Sequence, residues 1–145
     1  MSNLKTILIS KKNCKSVWFM RQAGRYLPEF KKIRSNNPNF VELCLNSELS
    51  SEITLQPIKR FDIDSAIIFS DILMVPFALG QNVEFIKGQG PILEKFNLKK
   101  FLNNDKISFT QKLHPVYKAI EITRKKLNKK KSLISFIGAP WTLLI

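Results

Sequence analysis

The sequence predicts an α/β fold, and three observations carry that prediction. Two short apolar runs, Ser65-Ala66-Ile67-Ile68-Phe69 and Leu133-Ile134-Ser135-Phe136-Ile137, are continuous rather than alternating, as expected of strands buried on both faces. Between them runs a strong helical pattern, with Leu113, Val116, Tyr117, Ile120 and Leu127 on one face. Strand, helix and strand in this order make a parallel βαβ unit. Everything before the first run reads as helix and turn.

Taken in order, residues 1–16 read as a mobile, lysine-rich lead-in. Its apolar patch, Leu4 to Ile9, is too short for the core of a signal peptide, and no small-residue cleavage pattern follows. The next stretch, Val17 to Pro28, runs from apolar residues straight into Arg21 and Arg25, with Gln22, Ala23 and Gly24 between them. A spacing of four would place both guanidinium groups on one face of a helix. Gly24 and Pro28 favour instead a tight turn that opens a short helix. Small residues let a ligand approach the backbone, and the arginines offer two planar, permanently charged forks to carboxylates or phosphates. Trp18, Phe19, Met20 and Tyr26 around them argue for a partly buried, ligand-facing position rather than a pair of surface arginines.

Pro28 suits the first turn of a helix through Arg34, and Asn36-Asn37-Pro38 ends it. Phe40 to Leu45 makes another short helix. Asn46 or Ser47 caps the next, on which Leu49, Ile53, Pro57 or Ile58, and Phe61 recur at about one face. Pro57 is expected to kink or break that helix. Asp62-Ile63-Asp64 turns the chain into the first strand, which ends abruptly at Ser70-Asp71. A carboxylate directly after a buried strand is costly unless it has partners or a task. In α/β barrels this end of a strand is the catalytic face. Asp71 either caps a helix at Ile72 to Ala78 or faces a ligand.

Gly80 closes that helix. Alternation around Val83 and Phe85 and the turn Gly88-Gln89-Gly90-Pro91 predict a hairpin; no Lys-Ser/Thr follows, so this is not a phosphate-binding loop. Leu98 to Asp105 reads as a short polar helix or loop. The main helix ends in Arg124, Lys125, Lys126 and Lys129 to Lys131, cations that suit the helix dipole, which gives them a structural reason ahead of a nucleic-acid role. His114, the one histidine, precedes Pro115 at the predicted start of that helix and reads as exposed and non-catalytic. Gly138-Ala139-Pro140-Trp141 after the second strand reads as a small-residue loop with an aromatic wall. Two parallel strands alone cannot make a covered sheet, so the chain is expected to be cut from a larger domain.

Composition sets bounds. A length of 145 residues allows one domain with a real core. The net charge of +13 reflects either AT-rich codon usage or a polyanionic partner: nucleic acid, acidic lipid or a small molecule. No apolar run approaches the roughly 18 residues a membrane span needs, so no membrane partner and a cytoplasmic location are expected. Cys14 and Cys44 lie far apart, without CxxC spacing or a nearby histidine, and read as free thiols with no metal.

The stretches Val17 to Pro28, Thr54-Leu55-Gln56-Pro57, Ala66 to Leu73, Gly88-Gln89-Gly90-Pro91 and Gly138 to Leu143 together resemble the N-terminal part of the uroporphyrinogen decarboxylase family. The Arg-Gln-Ala-Gly-Arg-Tyr and Phe-Ser-Asp-Ile-Leu pieces carry most of the specificity. The resemblance covers nearly all of this chain but less than half of a usual family member. It implies a partial TIM (β/α)8 barrel with an N-terminal helical extension, residues 1–145 forming the first part of a single barrel domain. It implies a carboxy-lyase without cofactor, usually a homodimer, converting uroporphyrinogen to coproporphyrinogen with release of four carbon dioxide molecules in haem synthesis. Arg21 and Arg25 would contact the substrate carboxylates, and Gln22, Ala23 and Gly24 would form the rest of that substrate-binding loop. Asp71 would accept hydrogen bonds from the pyrrole N–H groups. Asp71 and Arg25 are the catalytic candidates, although a guanidinium is a poor acid. The family's functional tyrosine would fall one residue beyond Ile145; a later hydroxyl residue and a late histidine, which His114 does not match, would also have to come from a missing C-terminal half. Such a piece is expected to be inactive alone. Competing readings are a tetrapyrrole- or partner-binding remnant, a related corrinoid-dependent methyltransferase, which the arginine loop disfavours, and a nucleic-acid binder, whose affinity would fall steeply with salt.

Overall fold

A computed structural model describes residues 3–10, 15–20, 24–86, 88–95, 97–103 and 105–144. Helix α1 (Asn3–Ser10) stands where a mobile lead-in was expected. It packs against the second strand of the parallel pair, and Leu4 and Ile7 are half-buried, so a short apolar stripe is enough to order it. Pro28 opens α2 (Pro28–Asn36) as predicted, after a turn in which Leu27 N–H donates to the Gly24 carbonyl at 2.7 Å. Helices α3 (Phe40–Leu45) and α4 (Ser47–Arg60) follow. Asn39 caps α3 by accepting from Val41 and Glu42, and Asn46 caps α4 by accepting from Leu49. Each cap is worth about 1 kcal/mol.

Pro57 does not break α4, which runs on through it to Arg60. It lies in the last turn, where its missing N–H forfeits a single helical bond, and its carbonyl still accepts from Phe61 at 2.8 Å. Packing outweighs that loss, because Ile53, Thr54, Leu55, Gln56 and Pro57 itself are all buried.

Strand β1 (Ser65–Ile67) pairs in parallel with β4 (Ser132–Ile134), Ser65 opposite Ser132 and Ile67 opposite Ile134. The βαβ reading holds, with more in the crossover than one helix: α5 (Met74–Ala78), the antiparallel hairpin of β2 (Val83–Ile86) and β3 (Gly90–Leu93), α6 (Leu98–Leu102) and α7 (Lys106–Lys126). The hairpin turns through Gly88 and Gly90 at φ of 86° and 90°, a region that glycine enters without steric cost. Helix α8 (Pro140–Leu144) begins inside the predicted Gly138–Trp141 loop, because Pro140 is a ready first helical residue. Trp141 is 72% exposed and walls nothing.

Both strands are shorter than their apolar runs. β1 is largely buried, but β4 is half-buried and its continuation exposes Phe136 and Ile137 by 44% and 76%. The expectation of two buried faces fails there because β1 is the only strand pairing with β4 among the described residues. The described residues form a mixed α/β structure with no closed barrel.

Helix α7 starts at Lys106, not near Pro115, because Asp105 accepts from Ile107 and Ser108 at 2.8 and 2.9 Å and caps it. His114 is therefore mid-helix, and exposed as expected. The buried seam is Leu113, Ala119 and Thr123, while Tyr117, predicted on that face, is 45% exposed. The seam shifts because α7 packs chiefly on α4, where small residues permit close approach. Its basic end does structural work: Arg124 donates to the carbonyls of Leu127, Asn128 and Lys131, Lys126 pairs with Glu48, and Lys131 pairs with Asp62. No helix among the described residues is long and apolar enough to cross a membrane, and none of their His, Cys, Asp and Glu side chains group as a metal site.

The core gathers Leu27 and Phe30 with Leu43, Cys44, Ile53 and Phe69. Phe69 meets Phe30 and Phe40 edge-on, with centroids 6.1 and 5.8 Å apart, and Phe40 meets Phe85 at 4.5 Å. Burial, and then the nearby Asp71 charge, pushes the Cys44 thiol up to about 12. An acid whose folded value is raised loses stability as pH rises above its unfolded value near 9.0, since only the unfolded chain then releases the proton. Native Cys44 is therefore expected to resist iodoacetamide at pH 8 and to react in step with urea unfolding. Peptide mass mapping checks this; rapid labelling of Cys44 without denaturant would contradict it. Cys14 lies outside the described residues.

Candidate functional site

The carboxyl end of β1 places Asp71. Ile68 N–H still reaches Ile134 across the sheet at 3.0 Å. Phe69 then leaves the ladder for α4. Its N–H donates to Thr54 Oγ1 at 2.8 Å and its carbonyl accepts from Ser50 Oγ at 2.6 Å. Two residues on, Asp71 Oδ1 accepts from Leu73 N–H at 2.9 Å, and its carbonyl accepts from Met74 N–H at 3.2 Å. The side chain closes a turn through Ile72 and Leu73, so α5 begins at Met74 rather than Ile72. Asp71 is half-buried, and its Oδ2 accepts from no described residue. The capping and ligand-facing readings are thus compatible, with one oxygen committed to the turn.

Because β1 and β4 run parallel, the loops after them emerge at the same end of the sheet. Gly138 brings them into contact. A Cβ there would lie 2.7 Å from Leu143 Cδ2 and 3.6 Å from Ile72 Cβ, so the turn that begins α8 sits against the turn that Asp71 closes.

Arg25 is exposed and forms no ion pair with a described residue, while its neighbour Gly24 is buried. Trp18, Phe19, Met20 and Tyr26 are also exposed, Tyr26 by 67%, so the partly buried setting expected for this arginine is not what the fold makes. These aromatics find no covering surface among the described residues. Arg21, Gln22 and Ala23 lie outside those residues. What the structure does bring together is the flanks: Leu27 and Phe30 just after Arg25, and Phe69 just before Asp71, belong to one core.

Sequence patterns passed over three residues near this end of the sheet. Ser50 and Thr54 are hydroxyls one helical turn apart on a buried face, the one signal that could have marked them. Arg34 is half-buried on α2, donates to the Asn37 carbonyl and lies over the Phe40 ring at 5.8 Å. Its charge and that of Asp71 act on Cys44 in opposite senses.

A cleft of about 370 Å³ opens elsewhere, between α2 and α4, lined by Glu29, Glu52, Gln56, Lys59 and Arg60. Arg60 grips Glu29 there through two hydrogen bonds of 3.0 and 2.9 Å. Two carboxylates cancel two cations, so the cleft suits no polyanion, and neither Arg25 nor Asp71 lines it.

Comparison with known proteins agrees with the motifs. The family model described as uroporphyrinogen decarboxylase matches residues 9–145. A uroporphyrinogen decarboxylase of Orientia tsutsugamushi (strain Ikeda) is 54% identical over 135 residues, 93% of this chain and 39% of the relative. That of Neorickettsia sennetsu is 53% identical over 130 residues, 90% of this chain and 39% of the relative. That of Rickettsia rickettsii (strain Sheila Smith) is 48% identical over 128 residues, 88% and 37% respectively. The chain thus spans well under half the length of the curated relatives it matches.

Proposed function

Because the chain belongs to the uroporphyrinogen decarboxylase family, we propose that it supplies the substrate-gripping part of a (β/α)8 barrel that decarboxylates uroporphyrinogen. Residues 1–145 are the opening portion of that single domain, with the helices α1 to α4 as its N-terminal extension. Arg25, with Arg21 in the same loop, holds peripheral carboxylates of the macrocycle, and Gln22, Ala23 and Gly24 shape the loop around them. Asp71 faces the ring centre and accepts from pyrrole N–H groups.

The chemistry asks for these groups. A pyrrole acetate releases carbon dioxide only if the ring takes up the electron pair of the breaking C–C bond. Protonation of a ring carbon makes a cationic sink for that pair. A fixed carboxylate near the pyrrole nitrogens stabilises the developing positive charge, and being preorganised it needs no reorientation as the reaction proceeds. Guanidinium groups at the rim keep the polyanion in register. The chain's charge of +13 favours approach of such a ligand. No cofactor enters this scheme. A homodimer and a cytoplasmic location belong to the same reading.

The observation that carries the proposal is Asp71 at the carboxyl end of β1, against the loop after parallel β4, with Oδ2 uncommitted to any described residue. The test is anaerobic conversion of uroporphyrinogen, read as loss of acetate side chains. Residues 1–145 alone are expected to show none. A chimera in which the Orientia tsutsugamushi relative supplies the rest of the family's length should turn over, and Arg25→Ala should raise its KM about tenfold or more. Turnover by the 145 residues alone, or a chimera indifferent to Arg25, would contradict the proposal.

A further inference from the structure

The residue that precedes Ser70 and Asp71 is not held by a neighbouring strand. Both backbone polar groups of Phe69 are satisfied by side chains of α4: N–H by Thr54 Oγ1 at 2.8 Å and C=O by Ser50 Oγ at 2.6 Å. The Thr54 hydroxyl is also tied to the helix backbone, since Thr54 Oγ1 donates to the Ser50 carbonyl at 2.7 Å. Every proton in this set is therefore assigned. The Thr54 hydroxyl gives its hydrogen to Ser50 and keeps a lone pair for Phe69, and the Ser50 hydroxyl gives its hydrogen to Phe69. Ser50, Thr54 and Phe69 are exposed by only 1%, 2% and 7%, so no water competes for these bonds.

We infer that Ser50 and Thr54 are positioning residues for Asp71. They hold its chain on one side through Phe69, as the Leu73 N–H holds its carboxylate on the other. Asp71 sits two residues beyond the latch, a tether of about 7 Å at most. A slip at Phe69 is passed on to the acid, because one residue cannot absorb it. This inference rests on the assignment of Asp71 as the ring-facing acid. It adds that α4 sets where that acid stands.

The test uses the full chain labelled with 13C at aspartate carboxyls, with Asp71→Asn to identify the Asp71 signal. Thr54→Val keeps the shape and removes the hydroxyl; Thr54→Ser keeps the hydroxyl and loses a methyl group. In Thr54→Val the Phe69 amide is expected to exchange on the order of tenfold faster or more, relative to amides of α7. The Asp71 carboxyl 13C resonance should shift, as its hydrogen bond to Leu73 changes. Thr54→Ser should restore both. If Thr54→Val does not fold, Ser50→Ala takes its place, with the same displacement of the Asp71 carboxyl resonance expected. Folded variants that leave Asp71 and Phe69 unmoved would overturn the inference, as would Thr54→Ser behaving like Thr54→Val. Asp71→Asn in the chimera separates the two claims. If that change is silent, the acid's role fails; if it abolishes turnover while the latch variants leave Asp71 unmoved, only the latch fails.

Discussion

Phe69→Ala is expected to destabilise the chain by about 3–5 kcal/mol, a large share of the roughly 5–15 kcal/mol that holds a typical domain folded. The ring is 7% exposed and stands between Phe30 of α2 and Phe40 of α3, in edge-on contact with both. Alanine removes the transfer free energy of the ring and leaves a void that two helices from different directions cannot close together. Each lost ring pair adds about 0.5–1.5 kcal/mol within that total. Phe69→Leu, which keeps most of the volume, should cost less than half as much. Urea melts followed by circular dichroism read both values. A loss below about 1 kcal/mol for Phe69→Ala would mean that this ring cluster is not the joint between the Arg25 turn before α2 and the Asp71 turn after β1.

Asp71→Asn is expected to lower turnover of the chimera by on the order of 10²–10³ while leaving stability within about 0.5 kcal/mol. Asparagine keeps a carbonyl oxygen for the Leu73 N–H, so the turn into α5 survives. What disappears is the negative charge. In the proposed chemistry that charge stabilises the ring cation formed by carbon protonation before carbon dioxide leaves, so the loss should appear in kcat more than in KM. A dipolar amide in the same place returns only a fraction of the stabilisation. Undiminished kcat in Asp71→Asn would show that the carboxylate serves the turn and nothing else. A loss of stability as large as that of Phe69→Ala would show the same by another route.

The local elements were largely legible in the residues. Pro28 opening α2, Asn46 capping α4, the two glycines of the β2–β3 hairpin and the apolar runs of β1 and β4 act over a few positions, and short-range chemistry fixes them. The misreadings share a cause. Pro57 was expected to kink or break a helix and Pro115 to stand at the start of one, yet α4 and α7 run through them because packing across a buried face outweighs one missing bond. Asp105, nine residues before His114 at the predicted helix start, needed only its two N–H partners to move that boundary.

By itself, the sequence determined the family, through a spacing of motifs shared with it, and put forward paired arginines beside glycine and an acid straight after a buried strand as site candidates. Those are properties of residue type and order, which survive without coordinates. Only the tertiary structure decided what holds the acid, how its carboxylate is divided between turn and open side, and which loop lies against it. The hydrogen bonds that Phe69 makes with Ser50 and Thr54, and the contact of Gly138 with Ile72, join positions far apart along the chain. No local pattern encodes such partners, because they meet only once the helices have packed.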